Sequence, residues 1–149
     1  MQLSFSRFDD EFLERSWHWL NDPEVKHLTM TPDFTREQQL LWFSGLPKAN
    51  GYLIWGIKCD GKPIGVVGLK NIDETSADYF GYIGERNYWG MGLGREIIAF
   101  AFEAARKRRL QKIRVKVRTD NSRAVHLYAR TGFLVLGEAD GVFQMAKDL

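Results

Sequence analysis

Cysteine is nearly absent from this chain of 149 residues: Cys59 is the only one. That excludes an internal disulfide framework and any cysteine-cluster zinc site. Cys59 sits in an apolar stretch and reads as a buried core thiol. An excess of one charge is also missing, since 21 Lys+Arg against 19 Asp+Glu leave a net +2. Such a balance argues for neither a nucleic-acid nor a membrane partner. The densest basic run, Arg106-Lys107-Arg108-Arg109, reads as a helix C-terminus, where cations complement the dipole. No window approaches the roughly 18 apolar residues of a membrane span. The opening MQLSFSRFDDEF has neither the basic n-region nor the apolar core of a signal peptide. No repeat, low-complexity tract or Pro/Ser-rich linker divides the chain. One domain over residues 1–149 is therefore expected, long enough to bury a core, in a soluble cytoplasmic protein. The three histidines, His18, His27 and His126, are scattered, so no metal site is expected. No Ser/His/Asp pattern appears either.

What is present is a regular alternation of elements. Residues 3–8 alternate as a short strand. Residues 9–20 predict a helix capped by Asp9, with Phe12, Leu13, Trp17 and Leu20 as its apolar stripe, and Asn21-Asp22-Pro23 as its stop. Thr35-Arg36-Glu37-Gln38 is a capping box that opens a second helix through Leu41, Trp42 and Phe43. Residues 52–59 and 63–72 form a hairpin about an Asp60-Gly61 turn, and residues 77–83 form a further strand. A helix follows over 93–109, then a strictly alternating strand over 112–118. A helix capped by Asn121-Ser122 and ended by Gly132 comes next, and two closing strands lie at 133–137 and 142–147. The result is an α/β chain with a mostly antiparallel sheet.

Between the third hairpin-region strand and its helix lies NYWGMGLGRE, residues 87–96, with glycine at positions 90, 92 and 94. A strand, a turn and a helix N-terminus make an anion site: the first helical N–H groups lack partners and carry the positive dipole end. Glycines let a phosphate oxygen approach the backbone. A P-loop would need Gly-Lys-Ser/Thr, whereas Gly94 is followed by Arg95-Glu96. A dinucleotide fingerprint would need Gly-x-Gly-x-x-Gly immediately after the strand. Here the last spacing is wrong and Gly84 to Trp89 intervene, even though Asp120 stands where a ribose ligand is sought.

Trp89-Gly90-Met91-Gly92-Leu93-Gly94 resembles the acyl-CoA pyrophosphate loop of the GNAT family of N-acetyltransferases, Gln/Arg-x-x-Gly-x-Gly/Ala. The departure is Trp89 in place of Gln or Arg. The YWGxG form resembles the ribosomal-protein N-terminal acetyltransferase branch. Downstream, Asn121 to Phe133 (NSRAVHLYARTGF) resembles the family segment N-x-x-A-x-x-L-Y-x-x-x-G-F. The likeness covers residues 52–147 well and the first 50 by element order only. It implies a single domain with a central, splayed, mostly antiparallel sheet of six to seven strands, flanked by about four helices.

The resemblance also implies roles. Acetyl-CoA would be the cosubstrate, with backbone groups of Tyr82 and Ile83 pairing with the pantetheine arm. Residues Trp89, Gly90, Met91, Gly92, Leu93, Gly94 and Arg95 would form the loop, with N–H groups from Met91 to Arg95 holding the pyrophosphate. Arg95 and Arg123 are candidates to add charge there, and Asn121 to cap its helix and touch the arm. Tyr128 is the candidate acid for the leaving thiolate. A direct transfer needs only positioning and proton removal, for which Asp78 leads and Glu85 is the second candidate, either one acting directly or through water. The acceptor region resembles two branches. WLNDPEV (19–25) and FTREQQLLWF (34–43) are similar to the front half of nucleotide-amino-sugar N-acetyltransferases, such as those of pseudaminic acid biosynthesis, and to the ribosomal-protein branch. Trp19 lies off its helix stripe and is a candidate pocket residue. The expected acceptor is a primary amine on a small molecule, a nucleotide-linked amino sugar first and a peptide N-terminus second. A homodimer is left open. A non-catalytic acyl-CoA-binding module is the third reading, and the intact Tyr128 argues against it.

Overall fold

A computed structural model describes residues 1–149. The elements run β1 (Leu3–Arg7), α1 (Asp10–Asn21), α2 (Pro23–Leu28), α3 (Arg36–Gly45), β2 (Leu53–Cys59), β3 (Lys62–Lys70), β4 (Ser76–Ile83), α4 (Gly94–Lys107), β5 (Lys112–Arg118), α5 (Ser122–Arg130), β6 (Leu134–Ala139) and β7 (Val142–Asp148). All seven strands form one sheet in the order β1-β2-β3-β4-β5-β7-β6. Every pairing is antiparallel except β4 with β5. This is the expected α/β architecture, with five helices in place of four.

The fifth helix is α2, and the sequence reading took its start for a stop. Asp22 accepts from the N–H groups of Glu24 and Val25, and Pro23 occupies the first helical position. Proline there loses no bond, because that N–H has no intrahelical partner. The Asn-Asp-Pro run therefore ends α1 and begins α2 within two residues. The other caps fall where the sequence puts them. Asp9 accepts from Phe12 N–H, and both halves of the Thr35–Gln38 capping box are formed. Each such cap contributes about 1 kcal/mol.

The strand alternation sorts the core into two layers. One face of the sheet, with Ile57, Val67, Leu69, Ala77, Tyr79 and Val115, packs on α4 and α5 through Ile97, Ile98, Ala101 and Tyr128. The other, with Val66, Phe80 and Tyr82, packs on Phe12, Leu13 and Trp19 of α1 and on Trp42 of α3. Cys59 is fully buried, as expected. The α1 stripe differs from the reading by a small rotation. Phe12, Leu13, Ser16 and Trp19 are buried, whereas Trp17 is half-buried, stacked under the Arg36 guanidinium at 4.4 Å and edge-on to Phe34. The rotation follows from Gln39, whose amide donates to Leu13 C=O and Ser16 Oγ at 3.0 and 3.3 Å. A buried polar pair thus occupies a position that an apolar count cannot find.

Arg36 also fastens α3 to α1, its guanidinium donating to both oxygens of Glu14 at 2.6 and 2.9 Å. Those bonds hold the Glu14 carboxyl down at about 2, from an ordinary 4.5. A carboxyl lowered by folding stabilises the fold above its unfolded value and loses that contribution as pH falls through its folded value. The melting temperature should therefore fall between about pH 4.5 and 2. In Glu14→Gln the fall over that window should be shallower; an unchanged slope would show that the pair contributes nothing.

Candidate active site

The β4–β5 pairing holds for three residues only, Ser76 to Asp78 against Lys112 to Arg114. Beyond it Tyr79 to Ile83 stay paired with β3 and part from β5. Both strands run the same way, so their C-terminal ends form the two banks of an open wedge.

The backbone phase decides what lines that wedge. Gly84 N–H donates to Ile64 C=O of β3 at 2.7 Å, and Thr75 C=O accepts from Gln111 N–H on the β5 side at 2.7 Å. Antiparallel ladders alternate. Even positions of β4 therefore face β3, and Gly81 and Ile83 face the gap. This corrects the Tyr82 expectation: its backbone groups turn to β3, and its ring packs edge-on to Trp19 at 6.2 Å. The Ile83 carbonyl is also engaged, accepting from Trp89 Nε1 at 2.7 Å, so its free group toward the gap is the N–H.

That bond gives Trp89 a role of its own. The indole closes the turn after β4, and Arg123 and Arg86 stack on its ring at 4.8 and 5.4 Å. Arg123 is thereby held from α5 beside the glycine loop, while Arg95 lies exposed in the first turn of α4. The three glycines divide the work. Gly90 and Gly92 take φ of +71° and +77°, with open space where a Cβ would project. Gly94 has ordinary φ, but a Cβ there would stand 2.8 Å from Leu127 Cδ2, so its absence lets α4 approach α5. Leu93 provides no side-chain cap, and the N–H groups from Gly90 to Glu96 find no acceptor within the chain. Seven consecutive donors on a helix N-terminus, with two arginines beside them, fit a pyrophosphate.

Tyr128 lies on the α5 side of the wedge. Its ring is edge-on to Tyr79 at 5.9 Å and against Phe133 at 5.4 Å. Burial pushes its phenol well above the ordinary tyrosine range, so the hydroxyl keeps its proton at neutral pH. That hydroxyl has no partner in the chain, and the fully enclosed polar atoms without one are Ser6 Oγ and Gln39 Oε1. The Tyr128 hydroxyl is therefore not fully enclosed, although the residue is buried. Tyr79 is a second phenol in the same wedge, raised by burial and by its neighbour Tyr128. The sequence places it in the strand 77–83 and gives it no separate role. Asn121 caps α5 as expected, accepting from Ala124 N–H at 3.4 Å.

The two candidate bases separate. Asp78 lies where the strands part, on the face opposite Tyr79, with Oδ1 accepting from Arg114 Nε at 3.0 Å and Oδ2 from Asn71 at 2.8 Å. Its lone pairs lock β4 to its neighbours. Glu85 instead lines a recess of about 440 Å³ with Arg15, His18, Trp19, Asp22 and Arg86. The recess floor is tight: a Cβ on Gly84 would stand 2.1 Å from the Trp19 ring. Trp19 is thus both buried and pocket-lining.

Above the wedge, α2 is tied to both banks. At its start Asp22 and Glu24 accept from Arg86, just past β4, at 2.5 Å each. At its end His27 pairs with Asp120, just past β5, at 3.1 Å. Asp120 also accepts from Arg118, and these bonds lower its carboxyl below the ordinary range. The recess lies on the α1 side of this strap. None of these ties was found in the sequence, because their partners are 62 to 93 residues apart.

The sequence matches a known family model, acetyltransferase (GNAT) family, over residues 13–133. The chain belongs to the GNAT acetyltransferase family. Among solved structures, the spermidine N-acetyltransferase of Vibrio cholerae in complex with CoA and spermine is similar at a TM-score of 0.87 and 22% identity, covering 99% of this chain and 95% of that one. The N-acetyltransferase PseH of Campylobacter jejuni in complex with acetyl coenzyme A has a TM-score of 0.76 at 16% identity, covering 99% of each chain. A PaiA N-acetyltransferase of Thermoplasma acidophilum in complex with coenzyme A gives 0.77 at 20%, covering 100% of each. At these identities the likenesses show the GNAT fold alone. No curated protein sequence matches the chain. No helix is long and apolar enough to cross a membrane.

Proposed function

We propose that this GNAT enzyme transfers the acetyl group of acetyl-CoA to a primary amine on a small polar molecule, in one direct step. The observation that carries the reading is the unpartnered N–H run from Gly90 to Glu96, on the turn that leads from β4, one bank of the wedge, into α4. Acetyl-CoA supplies an activated thioester. The chain's residues do the rest. The glycine turn and Arg95 and Arg123 hold the pyrophosphate, and the gap-facing backbone of Gly81 and Ile83 aligns the arm like an added strand. Glu85 takes the amine proton, directly or through a water. As the N–C bond forms and the C–S bond breaks, the Tyr128 hydroxyl gives its proton to the departing sulfur. Within this reading a nucleotide-linked amino sugar is the first acceptor. Its support is the front-half sequence likeness and the aromatic floor at Trp19. A peptide N-terminus is the second.

A thiol-release assay with acetyl-CoA and a panel of amino sugars, polyamines and N-terminal peptides tests the reaction. Acetyl-CoA binding without amine-dependent release would leave only a binding module. The choice of base has its own test. Glu85→Gln should lower kcat/KM about tenfold near neutral pH, at or below the low end of general-base effects because solvent can replace the carboxylate. Activity should partly recover at higher pH, where more amine is already free. Asp78→Asn should chiefly lower the melting temperature. The reverse pattern would restore Asp78 as the base.

A further inference from the structure

The recess beside Glu85 has a charge pattern that selects among amines. Its carboxylates are already matched. Asp22, together with Glu24 next to it, is clamped by Arg86 at 2.5 Å, and Glu85 has Lys62 Nζ at 3.6 Å. Just outside, Glu14 is taken by the Arg36 fork and by His18 at 3.2 Å. Arg15 alone among the recess cations is in no ion pair and no side-chain hydrogen bond. It lies on α1 one turn before Trp19, and Asp22 follows one turn later, so all three face the recess from one helical stripe.

From this we infer that Arg15 reads an anionic group, a carboxylate or phosphate, carried by the same small molecule as the acceptor amine. The inference rests on the acetyltransferase reading of this site and narrows it. A guanidinium is charged at every relevant pH and offers a planar fork of donors to an oxyanion. A polyamine would meet the opposite situation: no unmatched carboxylate to receive its second ammonium, and an unmatched cation repelling it.

The test compares matched amines with the 149-residue chain: glucosamine 6-phosphate against glucosamine, 4-aminobutyrate against butylamine, and spermidine. At least one anionic member should exceed its neutral partner in kcat/KM by about tenfold or more, the size of a charge-assisted bond to arginine, and which pair does so identifies the anion. Spermidine should fall below it. In Arg15→Gln that preference should shrink to about twofold, with melting temperature and acetyl-CoA affinity unchanged. Calorimetry of the preferred anionic amine on the CoA complex should show the same loss of binding. Spermidine as the best acceptor, or an anion preference that survives in Arg15→Gln, would overturn the inference and leave the transferase reading standing. Absence of thiol release with every amine, in a protein that binds acetyl-CoA, would overturn both.

Discussion

Replacing Tyr128 with phenylalanine should lower kcat by roughly 10²–10⁴, the usual size of acid catalysis, while acetyl-CoA affinity holds. The substitution keeps the ring that packs against Tyr79 and Phe133 and removes only the hydroxyl. That hydroxyl makes no bond within the chain, so its loss leaves no buried group unpaired and should hardly move the melting temperature. The raised phenol is a weaker acid than an ordinary tyrosine but stays protonated as pH climbs, so a hydrogen-bond donor stands ready whenever the thiolate leaves. The variant should be less impaired with an acetyl thioester of a more acidic thiol, whose anion leaves without help. Tyr79→Phe is the matched comparison, since Tyr79 is equally buried in the same wedge. If Tyr128→Phe turns over like the parent with chemistry rate-limiting, Tyr128 is a packing residue. If Tyr79→Phe carries the loss instead, the donor is the strand tyrosine.

The fold was legible because its elements are locally written. β5 alternates strictly, and its expected bounds, 112–118, are the observed ones. The caps at Asp9, Thr35 and Asn121 are short-range bonds between residues three apart in sequence, so the residue types alone announce them. The glycine turn was legible for the same reason, although its three glycines turned out to serve two ends. What could not be read depends on distant partners. Asp78 looked available on its strand, and only the parallel register brings Arg114 beside it. The Tyr82 backbone seemed as good as that of Ile83, since which residues face the gap depends on the phase with β3. Arg15 carries no motif at all. Its meaning comes from the pairing of every other charge around it. The α2 start was within reach, because Asp followed by Pro is a helix-opening signal as well as a stop.

Gly92→Val should weaken acetyl-CoA binding by roughly 10²-fold or more, the equivalent of one to two charge-assisted hydrogen bonds. Gly92 sits at φ +77° with open space where a side chain would project, so no clash inside the folded protein forbids valine. Two other effects do. A β-branched residue at positive φ is a genuine outlier that costs about 1–2 kcal/mol, and the turn relieves it by rotating its N–H groups away from their common direction. The side chain also occupies the side from which a phosphate oxygen reaches the Met91 to Arg95 donors. Gly92→Ala separates these effects, since it keeps most of the φ strain and adds only one methyl; it should lose less. The decisive comparison uses S-acetylpantetheine, which has the thioester and the arm but no pyrophosphate. If the turn holds the pyrophosphate, Gly92→Val loses kcat/KM with acetyl-CoA and changes little with S-acetylpantetheine, so the preference for the full cofactor collapses. An equal loss with both donors would mean that the valine has disturbed the wedge itself, and the anion would have to be held elsewhere along α4.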